Sequence, residues 1–96
     1  TTPAQGVALA LGRPQPNPSA GVATFSFTLP QAGHVQLEVL DLSGRRVWGA
    51  VNEYAAGSHS VLWDGRDSTG RAPAGMYFVR LTQGRQRSAS RLVVVR

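Results

Sequence analysis

The sequence predicts an all-β domain: an immunoglobulin-like sandwich of about seven antiparallel strands. Short runs alternate between apolar and polar residues, which is the period of a strand with one buried face. Turn residues interrupt these runs at intervals of roughly 8 to 12 positions, a spacing typical of sandwiches. No stretch longer than about ten residues keeps apolar positions at helical spacing without Gly or Pro. A chain of 96 residues is one domain with one modest core. A sheet of that size must cover its apolar side with a second layer, and a small closed barrel is the alternative architecture.

Residues 22–29 open the pattern, with Ala23, Phe25, Phe27 and Leu29 on one side and Thr24, Ser26 and Thr28 on the other. Pro30-Gln31-Ala32-Gly33 supplies a turn, because Pro fixes φ and Gly accepts positive φ. Val35, Leu37 and Val39 then share one face of residues 34–39, and the two runs read as an antiparallel hairpin. Asp41-Leu42-Ser43-Gly44 turns the chain into residues 45–51, where Val47 and Trp48 supply apolar surface. The polar stretch 52–58 reverses the chain, and His59, Val61 and Trp63 alternate in the next strand. Residues 64–75 form the longest irregular stretch. Tyr77, Val79 and Leu81 share a face of residues 76–82, and Gln83-Gly84-Arg85-Gln86 closes a hairpin onto residues 87–95. Residues 1–10 read as a linker remnant with a candidate edge strand at 7–11, ahead of a domain over 11–96. The opening Thr1-Thr2-Pro3-Ala4-Gln5-Gly6 has neither the charged start nor the apolar centre of a secretory leader.

Composition narrows the function. There is no Cys, so thiol chemistry and disulfides are excluded. No apolar run approaches the roughly 18 to 20 residues of a membrane-spanning helix. The formal charge is +5 and every basic residue is Arg, which admits acidic partners. Arg80, Arg85, Arg87, Arg91 and Arg96 gather in the last hairpin, but no exposed aromatics interleave them in the manner of single-strand binders. They read as a solvated face or as charges guarding a strand edge, with no nucleic acid implied.

Catalysis finds no footing. His34 and His59 both sit near strand starts at positions expected to be exposed. The sequence holds no nucleophile elbow, H-E-x-x-H motif or phosphate loop. Asp64 and Asp67 flank Gly65 in an oxygen-rich loop that could hold a hard cation such as Ca²⁺. Arg66 and Arg71 would compete with the ion, and Asp is a turn former in its own right, so the loop reads as structural. No cofactor is implied. Trp48 and Tyr54 are candidates for stacking on a cell-surface polysaccharide, whereas Trp63 and Tyr77 fall on core faces. Self-association through edge strands is a third route to function.

Three segments together resemble a known family. Pro16-Asn17-Pro18 precedes an alternating strand; Val35-x-Leu37-x-Val39-x-Asp41-Leu42-x-Gly44-Arg45-x-Val47 follows; and Gly75-Met76-Tyr77-x-Val79-Arg80-Leu81 leads to the ending Arg91-Leu92-Val93-Val94-Val95-Arg96. In order and spacing this is similar to the type A C-terminal sorting domain of type IX secretion cargo. Trp63-Asp64-Gly65-Arg66-Asp67 with Gly70 resembles the Ig-like domain of flagellar hook-capping proteins. The resemblance implies a non-catalytic module joined to upstream domains of the same polypeptide. Such a module passes through the periplasm, is recognised by outer-membrane secretion machinery, and is cleaved off or used for surface attachment. It also implies that Arg91, Leu92, Val93, Val94, Val95 and Arg96 carry recognition, supported by Gly75 and Tyr77. A terminal strand can add to a partner's sheet edge through main-chain hydrogen bonds while its side chains set the register.

Overall fold

A computed structural model describes residues 9–95. Two antiparallel sheets face each other. The first contains β1 (Ala10–Leu11), β2 (Ala23–Leu29) and β5 (Gly57–Trp63) in the order β1-β2-β5. The second contains β3 (Gly33–Leu40), β4 (Arg46–Tyr54), β8 (Gly75–Gln83) and β9 (Gln86–Val94) in the order β4-β3-β8-β9. Between β5 and β8, β6 (Arg66–Asp67) and β7 (Gly70–Arg71) form a minimal ribbon of their own. The all-β, Ig-like sandwich expected from the alternation is the observed architecture. Of the expected linker and edge strand, residues 1–8 lie outside the described residues, and Ala10–Leu11 pairs with β2 as an edge.

The first expected hairpin is not formed. β2 pairs with β1 and β5, whereas β3 pairs with β4 and β8. Residues 30–32 therefore carry the chain from one sheet to the other. The physical reason lies in the two apolar faces. Ala23, Phe25, Phe27 and Leu29 of β2 and Val35, Leu37 and Val39 of β3 are all buried. Side by side, both rows would still need a cover; in opposite sheets each row covers the other. Gln83, buried at the end of β8, donates from Nε2 to the Gln31 carbonyl at 2.9 Å and pins this crossing.

A second difference concerns residues 52–54, expected to reverse the chain. They extend β4 to Tyr54, which pairs with Gly33. The Tyr54 ring meets the edge of Phe27 at 5.3 Å between centroids, and that inward packing keeps the strand extended. Tyr77, Val79, Leu81, Leu92 and Val94 complete the core together with Trp63. Each such buried side chain contributes roughly 1.5–3 kcal/mol relative to exposure.

The long loop after β5 is anchored at Trp63. Its ring packs against Phe25 and Tyr77, each with centroids 6.3 Å away, and its Nε1 donates to the Arg66 carbonyl at 3.1 Å. Gly65 holds φ at +78°, and a Cβ there would meet the Gly21 carbonyl carbon at 2.6 Å. Two stretches of backbone touch at this point, and only glycine allows it. Gly75 is different: φ is +151° but nothing lies within 4 Å of a built Cβ. The expected outcome is a graded one. Gly65→Ala lowers stability by about 3 kcal/mol or more through backbone displacement, whereas Gly75→Val costs about 1–2 kcal/mol from conformation alone. Equilibrium urea unfolding of the two variants checks the order.

Candidate functional site

The described residues singled out for recognition lie in the β8-β9 hairpin or directly after it. Gly75 pairs with Val94 and Tyr77 with Leu92, so the two supporting positions flank the closing strand directly. Leu92 and Val94 point into the core and are buried; Arg91 is exposed and Val93 half-buried on the other face; Val95 is 49% exposed. Arg96 lies outside the described residues. Tyr77 is also buried, and its hydroxyl donates to the Pro73 carbonyl four residues back. This local tie resembles the tyrosine corner of Ig-like sandwiches.

The closing strand is not a free edge along its whole length. Its neighbour on one side is β8; on the other side the lead-in segment occupies the C-terminal part. Asn17 Nδ2 donates to the Arg91 carbonyl and Asn17 Oδ1 accepts from the Val93 amide, both at 3.0 Å. Ser19 then forms a parallel bridge: its amide donates to the Val93 carbonyl and its carbonyl accepts from the Val95 amide, both at 2.8 Å. Strand addition over residues 91–95, as expected for the terminal aliphatic row, therefore meets main chain that already has partners and side chains at Leu92 and Val94 that form the core.

Sequence reading missed this clasp. The signal was present: Pro16 and Pro18 have no N–H, and an Asn between them offers an amide that mimics a peptide group. Ser19 is fully buried and satisfied on every side, since its hydroxyl donates to the Val22 carbonyl at 2.7 Å and accepts from the Gly21 amide at 2.9 Å.

The other candidates fall elsewhere. Asp64 Oδ1 accepts from the Arg66 amide at 3.1 Å, and Asp67 Oδ1 accepts from the Thr69 amide at 2.8 Å and the Thr69 hydroxyl at 2.7 Å. Both are turn caps, and they open on different grooves: Asp64 with Arg66 and Arg71, Asp67 with Asp41 and Arg45. Trp48 and Tyr54 are half-buried and lean on Phe25 and Phe27 instead of projecting as a stacking platform. His34 is exposed beside Glu53 at 3.8 Å. His59, expected to be exposed, is half-buried because it lies against Phe27 and Tyr54, with its Nε2 2.7 Å from the Ala55 carbonyl.

The outward face of the four-stranded sheet holds an ionic cluster. Glu38 is buried, and its Oε1 accepts from Arg80 Nε at 3.1 Å and Nη2 at 2.9 Å. Arg46 Nη1 approaches Oε2 at 3.9 Å. Gly49, which pairs with Glu38, makes room for the Arg46 stem: a Cβ there would lie 3.1 Å from Arg46 Cδ. Removing Arg80 strands a buried carboxylate, so Arg80→Ala is expected to cost about 1–3 kcal/mol, with part recovered by adding Glu38→Gln. Chemical denaturation of the single and double variants checks this.

Two exposed turns respond to acid. The Asp41 carboxyl is held below its ordinary value of 3.8 by the Ser43 hydroxyl and then the Arg45 amide. The Asp67 carboxyl is held below the same value by the Thr69 hydroxyl and then its amide. Folding favours the ionised form of each, so their contribution is complete above the unfolded value and lost as pH falls through the lower folded one. The melting temperature should accordingly drop more steeply below pH 3.8 in the parent than in an Asp41→Asn, Asp67→Asn double variant.

No curated protein matches the sequence. Among solved structures the fold is similar to dimeric latent PorU from Porphyromonas gingivalis, with a TM-score of 0.67 at 21% identity. That likeness covers 96% of this chain and 10% of PorU. The FlgD Ig-like domain matches residues 14–87, from the proline-rich lead-in to the start of the closing strand. With β2 to β8, the Trp63-anchored loop and the tyrosine tie all inside that span, the chain belongs to the FlgD Ig-like domain family.

Proposed function

We propose that this domain is a non-catalytic C-terminal module of a larger secreted protein, serving as an export and cell-surface attachment signal for the type IX machinery. One observation carries the reading. The first and last of the three blocks that resemble sorting domains come together in space. Asn17, between Pro16 and Pro18, binds the main chain of Arg91 and Val93; Gly75 and Tyr77 pair with Val94 and Leu92. The domain also shares its fold with a segment of latent PorU.

Recognition in this reading is of a folded surface. Leu92 and Val94 hold the core while Arg91, Val93 and Val95 present side chains outward. The adjacent Arg80, Ala89 and Met76 extend that surface across the sheet. The machinery of the outer membrane is the partner, and the route runs through the periplasm to the cell surface.

Export of a periplasmic reporter fused ahead of residues 1–96, in a type IX-competent host, is the test. Surface signal is expected for the parent and is expected to fall about tenfold for an Arg91→Glu, Val93→Asp variant with an unchanged melting temperature. Equal surface signal in the two strains would remove the closing strand from the recognition element.

A further inference from the structure

We infer that the uncovered part of the β9 edge, residues 87–90, is a docking site for an extended acidic peptide that pairs as an added strand. The inference goes beyond the export reading and stands without it.

The main chain supplies the first observation. The amides of Val93 and Val95 and the carbonyls of Arg91 and Val93 point away from β8, since Asn17 and Ser19 bind them there. In an antiparallel pair these directions repeat every second residue, so Arg87 and Ala89 also turn their N–H and C=O outward. Among the described residues neither has a partner on that side. Ser88 and Ser90 face the other sheet, and the Ser88 hydroxyl accepts from the Leu11 amide at 3.0 Å. The clasp thus ends where an open stretch of sheet edge begins.

Charge supplies the second. Arg87 and Arg91 lie on the outward face, Arg85 in the adjoining turn, and Arg13 lines a groove of about 510 Å³ together with Phe78, Ala89 and Arg91. No carboxylate of the described residues lies within 4.0 Å of any of these four arginines. The acidic side chains are engaged elsewhere: Glu38 with Arg80, Asp41 with Arg45, Glu53 beside His34, and Asp64 and Asp67 in their turns.

These observations select the occupant. A polyanion without peptide groups would satisfy the guanidinium groups and leave the carbonyls of Arg87 and Ala89 bare. A second copy of this edge would set Arg against Arg. An extended peptide with acidic side chains at every second position meets both demands: its main chain pairs with residues 87–90 and its carboxylates face Arg87 and Arg91. Its alternate side chains turn toward Ser88 and Ser90, where small or apolar groups fit.

The probe is an amidated seven-residue peptide alternating glutamate with valine, titrated into the 96-residue chain at low salt. Binding is expected, weakened about tenfold or more by Arg87→Glu with Arg91→Glu. It should also be abolished when every second peptide nitrogen of the probe is methylated, a change that keeps charge and removes strand pairing. Because that last change is made in the peptide, folding of a variant does not enter the result. Absence of binding, equal binding of the methylated peptide, or tighter binding of an oligothymidine of equal charge would each overturn the inference.

Discussion

Four hydrogen bonds between Asn17 and Ser19 and the main chain of Arg91, Val93 and Val95 decide what the closing strand can do. They join segments more than seventy positions apart and close the sandwich where its first and last described stretches meet. Because Ser19 is buried with every polar atom paired, loosening the clasp would expose unsatisfied groups as well as break bonds. The strand edge is consequently divided into a portion that belongs to the domain and a portion open to a visitor.

The same division runs through the charges. Glu38 buries its carboxylate under Arg80 and within reach of Arg46, which fixes those two arginines over the middle of the sheet. Asp41 does the same for Arg45 at the Asp41-Gly44 turn. Arg13, Arg85, Arg87 and Arg91 have no such partner among the described residues and form an uncompensated basic border along the open edge. An edge strand exposes main-chain groups that invite pairing, and positive side chains discourage indiscriminate partners. Those charges admit an acidic strand and repel a copy of themselves, so protection and selectivity have one physical origin.

Much of the fold was legible in the sequence because alternation reports burial directly. Tyr77, Val79 and Leu81 fell on the buried face as read, and so did Ala23, Phe25, Phe27 and Leu29. Alternation does not report which sheet a strand joins. Residues 30–33 look the same whether they close a hairpin or cross between layers, and only the need of two apolar rows to cover each other distinguishes the outcomes. The Tyr77 tie to Pro73 is local and visible in retrospect. The Asn17 clasp is not local, and its partner groups are backbone, which leaves no mark on residue type at Arg91 or Val93. For the same reason residue types alone do not reveal that main-chain groups of Arg91, Val93 and Val95 are already bound.

Hydrogen exchange of individual β9 amides tests this division of the edge most directly. Slow exchange is expected at Val93 and Val95, whose amides are bound by Asn17 and Ser19, and fast exchange at Arg87 and Ala89, whose amides face outward unpaired. Equal protection along the whole strand, or fast exchange at Val93 and Val95 in the intact domain, would contradict it.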